Sequence, residues 1–187
     1  TTSYNQAHSN TYSSTIKKVV DNWYKTNIQD AGYSDKVADV IYCNDRRIDT
    51  TYQTALGYGI NQTGYMARYR LNTNRIPVLT CSQRNDAFTV DDTNKGNGAL
   101  TYPVGLITID EVAMGGAIYG SGDSSSNSNY YLYTGTYYWT MSPCVFYSNG
   151  LAYEWSVFSN GNIDDLSVNG TYGVRPVLSL KSDISVT

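Results

Sequence analysis

From Gly96 to Val174 the chain carries no lysine or arginine, while Asp110, Glu111, Asp123, Glu154, Asp164 and Asp165 all fall inside that span. Aromatic and β-branched residues fill it instead, in the runs "YYLYTGTYYWTMS" and "LAYEWSVFSNGNI" and, across its end, "YGVRPVLSL". Each run reads as a strand. Asn160-Gly161 within "SNGN" suits a type I′ hairpin turn, because both residues tolerate positive φ. "SGDSSSNSN" at 121–129 is too polar to pack and reads as a loop. A nucleic-acid site needs cations to displace counterions from phosphate, so this half is a poor one.

The first half is built differently. Residues 1–95 hold 11 of the 13 basic side chains, dispersed apart from pairs such as Lys17-Lys18 and Arg46-Arg47, which are expected on a solvated face. "SSTIKKVVDNWYKTNI" sets Ile16, Val19, Val20, Trp23 and Asn27 at helical spacing behind a Ser13 or Ser14 cap. "TIDEVAMGG" gives a second helix, with Thr108 and Glu111 as a capping box and Gly115-Gly116 as its stop. Residues 41–105 read as short strands and loops punctuated by "NQTG", "LNTN" and "TNKGNG". Helices early and antiparallel strands late make an α+β chain, two helices with short antiparallel sheets. At 187 residues it is one domain, spanning 13–187 behind a polar, flexible arm at 1–12.

Tyrosine is the compositional anomaly, with 19 residues against three Phe and three Trp, while charged residues are only 16% of the chain. Tyr with Asn, Ser and Gly is the mixture of antibody-like contact surfaces, and it also suits a secreted β-rich protein with polar strands. Cys43, Cys81 and Cys144 match no zinc spacing. Outside a cell, Cys43 and Cys81 are the expected pair, contributing about 3–4 kcal/mol by chain entropy and leaving Cys144 free. In a reducing compartment all three would be buried thiols. The chain begins at Thr1 without Met, and an upstream signal or anchor is the corresponding expectation. No run is long and apolar enough for a membrane span.

Catalytic chemistry is not written in the residues. The single histidine, His8, lies in the arm, and Cys144 has no His or Lys near it in sequence. No nucleophile elbow, zinc-protease helix or P-loop occurs. Asp164-Asp165 reads as a solvated loop pair, since neighbours on a strand would point to opposite faces. "DDTNKGNG" at 91–98 lacks EF-hand geometry and reads as plain turns. "NQT" at Asn61 and "NGT" at Asn169 fit the glycosylation sequon. No cofactor and no metal site is expected.

"YYWTMSP" followed by "YGVRPVLSL" resembles bacterial and phage domains of the C-type lectin-like fold. That group includes relatives of the formylglycine-generating enzyme and the variable proteins of diversity-generating retroelements. "STIKKVVDNWYKTNI", "CNDRRI" and "DDTNKGNGALTYPVGLITIDEV" resemble the N-terminal half of bacterial surface proteins with the same ending, so the likeness spans most of 13–183. It implies scaffold roles for Trp139, Gly173, Arg175 and Pro176. The enzyme branch uses two late cysteines where this chain has only Cys144, so copper-oxidase chemistry is not expected. In the diversified branch, adenine-directed mutation of an AAC codon yields the Asn, Tyr, Ser, Asp, Gly and Phe that crowd residues 144–170. Glu154 and Trp155 cannot arise that way and would be fixed.

These readings converge on a non-catalytic, extracellular ligand-binding or adhesion domain, displayed on a cell surface or phage virion and diversified by a retroelement. Its partner would be a protein on another cell or phage host. The contact face is expected from Tyr147, Asn149, Tyr153, Ser156, Phe158, Asn160 and Asn162, with Asp164 and Asn169 at its rim. The alternative is a pilin-like or surface-layer subunit without targeted diversification. A sugar-binding lectin is less favoured, because the calcium-site triplets EPN, QPD and WND are missing.

Overall fold

The computed structural model describes residues 4–52, 62–117, 119, 127–147 and 149–185. After a single helical turn, α1 (Tyr4–Ala7), the chain enters α2 (Thr15–Tyr24), where the Ser14 side chain accepts from Lys17 N. A π-helical turn over Lys25–Gln29 extends it. Its buried stripe runs Ile16, Val20, Tyr24 and Ile28, one residue every four. Val19 and Trp23, which also fit a helical stripe in sequence, remain 49% and 36% exposed. Tyr24 wins the inward position and stacks on Tyr102 at 5.1 Å.

The middle of the chain supplies β1 (Tyr42–Cys43), β2 (Thr63–Gly64), α3 (Met66–Arg68) and β3 (Ala87–Phe88). α4 (Ile109–Met114) follows, then the long strands β4 (Tyr138–Phe146), β5 (Ala152–Val157) and β6 (Ile163–Ser167). β1 pairs with β3, and a second antiparallel sheet has the order β2-β4-β5-β6. The class is α+β. α4 begins with the expected capping box between Thr108 and Glu111, and Ser142 of β4 accepts from Ile109 N at 3.0 Å.

Strand alternation divides the core. One face of the sheet packs Tyr138, Cys144, Val145, Trp155, Val157 and Ile163 with Ile109 and Val112 of α4. The other sets Trp139, Met141 and Leu166 against Val20 and Tyr24 of α2. "YGVRPVLSL" forms no continuous strand. It touches the body through isolated bridges, Gly173 to Tyr138, Val177 to Gly105 and Leu180 to Val37. Pro176 lies between two of them, where its missing N–H prevents a regular ladder. The "SNGN" turn also differs from expectation, because of its two central residues only Gly161 takes positive φ, at 85°. Gly161 N donates to Phe158 O and Phe158 N to Asn162 O, the pattern of a three-residue hairpin loop closed by a left-handed glycine.

Arg46 and Arg47 are not a solvated pair. Arg46 is buried, with its Nε 2.7 Å from Asp86 Oδ1 and its backbone N on Asp86 Oδ2. Arg70 is the hub of a larger buried array, donating from Nε and Nη2 to both Asp110 oxygens at 2.7 Å and from Nη1 to Asp45 at 2.6 Å. Asp45 also holds Arg47, and Asp110 accepts from Val78 N. The bidentate geometry and the two charge signs together make burial of these groups tolerable. The arm is anchored too, since Arg46 Nη2 donates to Asn10 Oδ1 and Asn10 Nδ2 to the Asn85 backbone. Cys43 and Cys81 form the expected disulfide, Cα–Cα 5.6 Å, and Cys144 is free and buried.

Removing one member of the Arg70 array strands the others as buried charges. Arg70→Ala is expected to lower unfolding stability by about 3–5 kcal/mol. Arg70→Lys should recover little, because one ammonium cannot reproduce the fork that spans two carboxylates. Urea unfolding of the oxidised protein measures both.

Candidate functional site

β5 connects two loops of the same geometry. On its N-terminal side, Tyr147 N donates to Leu151 O and Gly150 N to Tyr147 O, with Gly150 at φ 83°. On its C-terminal side lies the 158–162 loop. The expected contact residues therefore separate into two groups, at opposite ends of a strand about 17 Å long by its rise per residue.

At the first end, Tyr147 and Tyr153 meet edge to face at 5.0 Å. Asn149 is exposed, and its Oδ1 accepts from Leu151 N, which shapes the loop. Asn169 is exposed in the turn after β6, carried beside this loop because Val168 N donates to Ala152 O. Tyr147, Asn149, Tyr153 and Asn169 thus come together.

The other end is scaffold. Asn160 is exposed, but its carbonyl accepts from Asn127 N, while the Tyr130 hydroxyl donates to the Gly161 carbonyl at 2.9 Å. A Cβ on Gly161 would overlap the Asn127 carbonyl. Asn162 is buried, and Phe158 packs on Tyr137 at 4.9 Å. Asp164 is exposed on β6, away from the tyrosine pair. Ser156 is fully buried opposite Trp139 and does not reach a surface. Much of the 121–129 loop, and Asn61, lie outside the described residues.

Sequence reasoning missed two neighbours of Tyr147, Tyr52 and Arg68, and misplaced a third, Asp165. The Arg68 guanidinium lies 3.7 Å from the centre of the Tyr52 ring, and Tyr119 stands edge-on to Trp155 at 5.0 Å. Asp165 shares the Trp155 face of the sheet rather than a solvated loop. Burial, and secondarily the charge of Asp164, push its carboxyl up to about 6. Burial, then the Asp165 charge, push the Tyr147 phenol up to about 12. Nothing local in the sequence marks Tyr52 or Arg68, which reach the site only through tertiary packing.

The four residues expected to be scaffold each make specific contacts. Trp139 is buried and meets Tyr172 edge-on at 5.1 Å. Gly173 exchanges backbone bonds with Tyr137 and Trp139, and a Cβ there would lie 2.8 Å from Tyr137 O. Arg175 donates to Leu132 O at 2.8 Å and lies over the Tyr138 ring, and half-buried Pro176 follows it.

Burial raises the Cys144 thiol well above its ordinary range, so it is not a thiolate at neutral pH. Among the described residues no cluster of three or more His, Cys, Asp or Glu is placed to hold a metal. In the 91–98 segment, Asp39 and Asp92 accept backbone N–H groups instead. No helix among the described residues is long and apolar enough to cross a membrane. No protein-family model matches the chain, and neither a curated protein nor a solved structure matches it.

Because the folded-state pKa of Asp165 is raised, its neutral form favours folding below the ordinary carboxylate range, and that contribution is lost as pH climbs through about 6. Asp165→Asn should therefore raise the urea midpoint at pH 7 and leave it nearly unchanged at pH 4.

Proposed function

We propose that this chain is a non-catalytic ligand-binding domain of C-type lectin-like fold, displayed outside the cell or on a virion, that recognises a protein partner. The observation that carries the reading is the grouping of Tyr147 and Tyr153 with exposed Asn149 and Asn169 at one end of a fixed hairpin. Tyrosines present large, rigid, amphipathic area at low entropic cost, and turn asparagines supply adaptable hydrogen bonds. Tyr52 with Arg68 extends the surface with a cation and a further ring. The Cys43–Cys81 bridge is compatible with an oxidising compartment.

Retroelement diversification belongs to the same proposal. The interchangeable positions would be 147, 149, 153 and 169, and Glu154 and Trp155 would be constant. A reverse-transcriptase gene beside a near-copy of the segment encoding 142–178, differing only at adenines, would establish it.

The binding reading is tested by randomising 147, 149, 153 and 169 together with NNC codons in a display library. Most members should remain folded and selection against unrelated folded proteins should yield binders, whereas the same treatment of 139, 156 and 161 should abolish display. If randomising the first set unfolds the domain, the tyrosines are core. If it yields no binders, the surface is not a recognition site.

A further inference from the structure

The opposite face of the same sheet borders a cleft of about 880 Å³, enclosed between the N-terminal arm with α2 and the strands. Its floor includes Trp139, Pro143, Ala152 and Glu154, and Tyr172 stands on its wall. Such a volume falls among small-molecule sites, which are mostly apolar with a few placed polar groups.

Glu154 supplies the only carboxylate among the residues lining this cleft. Its strand neighbours Tyr153 and Trp155 pack toward the other face, which turns Glu154 toward the cleft. Across the sheet it is opposite Pro143 and Leu166, neither of which has a side chain that can donate. Among the described residues no hydrogen-bond donor or cation meets the carboxyl of this half-buried side chain, and its partial withdrawal from water raises its pKa to about 8. The cations on the walls are committed elsewhere, Lys17 to Asp21 and Arg46 to Asp86, while the His8 ring stacks on Tyr65. The span from Gly96 to Val174 offers no further cation. A carboxyl in such a place costs stability and returns no structural bond.

We propose that this cleft is a second binding site, for a small organic cation with an apolar or aromatic body. Its ammonium, amidinium or guanidinium group is held by Glu154 while the body lies against Pro143, Trp139 and Tyr172. In a partly desolvated cleft a charge-assisted pair of this kind is stronger than in water. Binding near neutral pH drives the Glu154 proton into solvent, so affinity for a permanent cation rises with pH until the carboxyl is ionised in the free protein. Tyr153 and Glu154 lie on opposite faces of β5, so Glu154 is reached from the cleft side, while the rim of the cleft takes in Tyr153 and Asn169 of the tyrosine surface.

Benzamidine, cationic throughout the range used, and benzamide, its neutral counterpart, test the assignment on the full chain by amide chemical shifts at pH 6 and pH 9. Benzamidine should shift the Ala152, Glu154 and Tyr172 amides and bind at least about tenfold more tightly than benzamide at pH 9. That preference should shrink at pH 6 and vanish in Glu154→Gln. His8 also lines the cleft, so the pH comparison is repeated in His8→Ala, which leaves Glu154 intact and decides the matter even if Glu154→Gln fails to fold. Equal affinity for the two compounds overturns the proposal, as does a preference unchanged by pH or by Glu154→Gln. Benzamidine shifts confined to other faces, or no shifts at all, overturn it as well.

Discussion

Arg70 joins parts of the molecule that local structure cannot join. Its guanidinium holds Asp45, next to β1, and Asp110, in the first turn of α4, while Asp110 in turn fixes the backbone at Val78. α4 packs beneath the long sheet, so the orientation of β4 and β5 depends on where these two carboxylates are held. Asp110, in a span without lysine or arginine, thus takes its neutralising charge from the first half of the chain. An ion pair of this kind contributes less through net energy than through the cost of every arrangement that breaks it.

β5 transmits that order to the surface. Trp155 and Val157 are locked in one core, while Ser156 is sealed against Trp139 on the other side. Tyr153 lies between these constraints and the 147–151 loop, half-buried and packed on Tyr147. Both tyrosines pack, partly buried, against the same core as Trp155 and Val157. Glu154 is the exception on the same strand, since it lines a cleft and its carboxyl has no partner among the described residues.

Features set by neighbours in sequence were legible, and those set by distant partners were not. The Ser14 cap, the Thr108–Glu111 box and the strands of the late hairpins follow from short-range chemistry. Val19 and Tyr24 could not be ranked as core by spacing alone, because adjacent stripes on one helix fit the same pattern and packing against Tyr102 decides. Arg46 read as surface because Asp86, which buries it, is 40 residues away. Asn162 and Ser156 read as contact residues because a polar residue on a strand does not reveal which side is covered. The four residues now grouped at the tyrosine end were each named from the sequence, with no sign that they lie together. Their separation from Phe158, Asn160 and Asp164 required the direction of β5.

The tripeptide Ser-Asn-Gly occurs twice, at 148–150 and 159–161. Both copies end in a left-handed glycine, yet their surroundings differ. The second is clasped by Asn127 and Tyr130, with no space for even a methyl group on Gly161, whereas Asn149 in the first projects into solvent. Natural selection would hold the glycine of the second copy for space as well as for conformation, whereas the two middle asparagines, both exposed and both accepting from the N–H two residues on, are under the same constraint. A position-by-position record of tolerated changes would therefore separate the two copies at the glycine and not at the asparagine, where composition alone suggests uniform latitude.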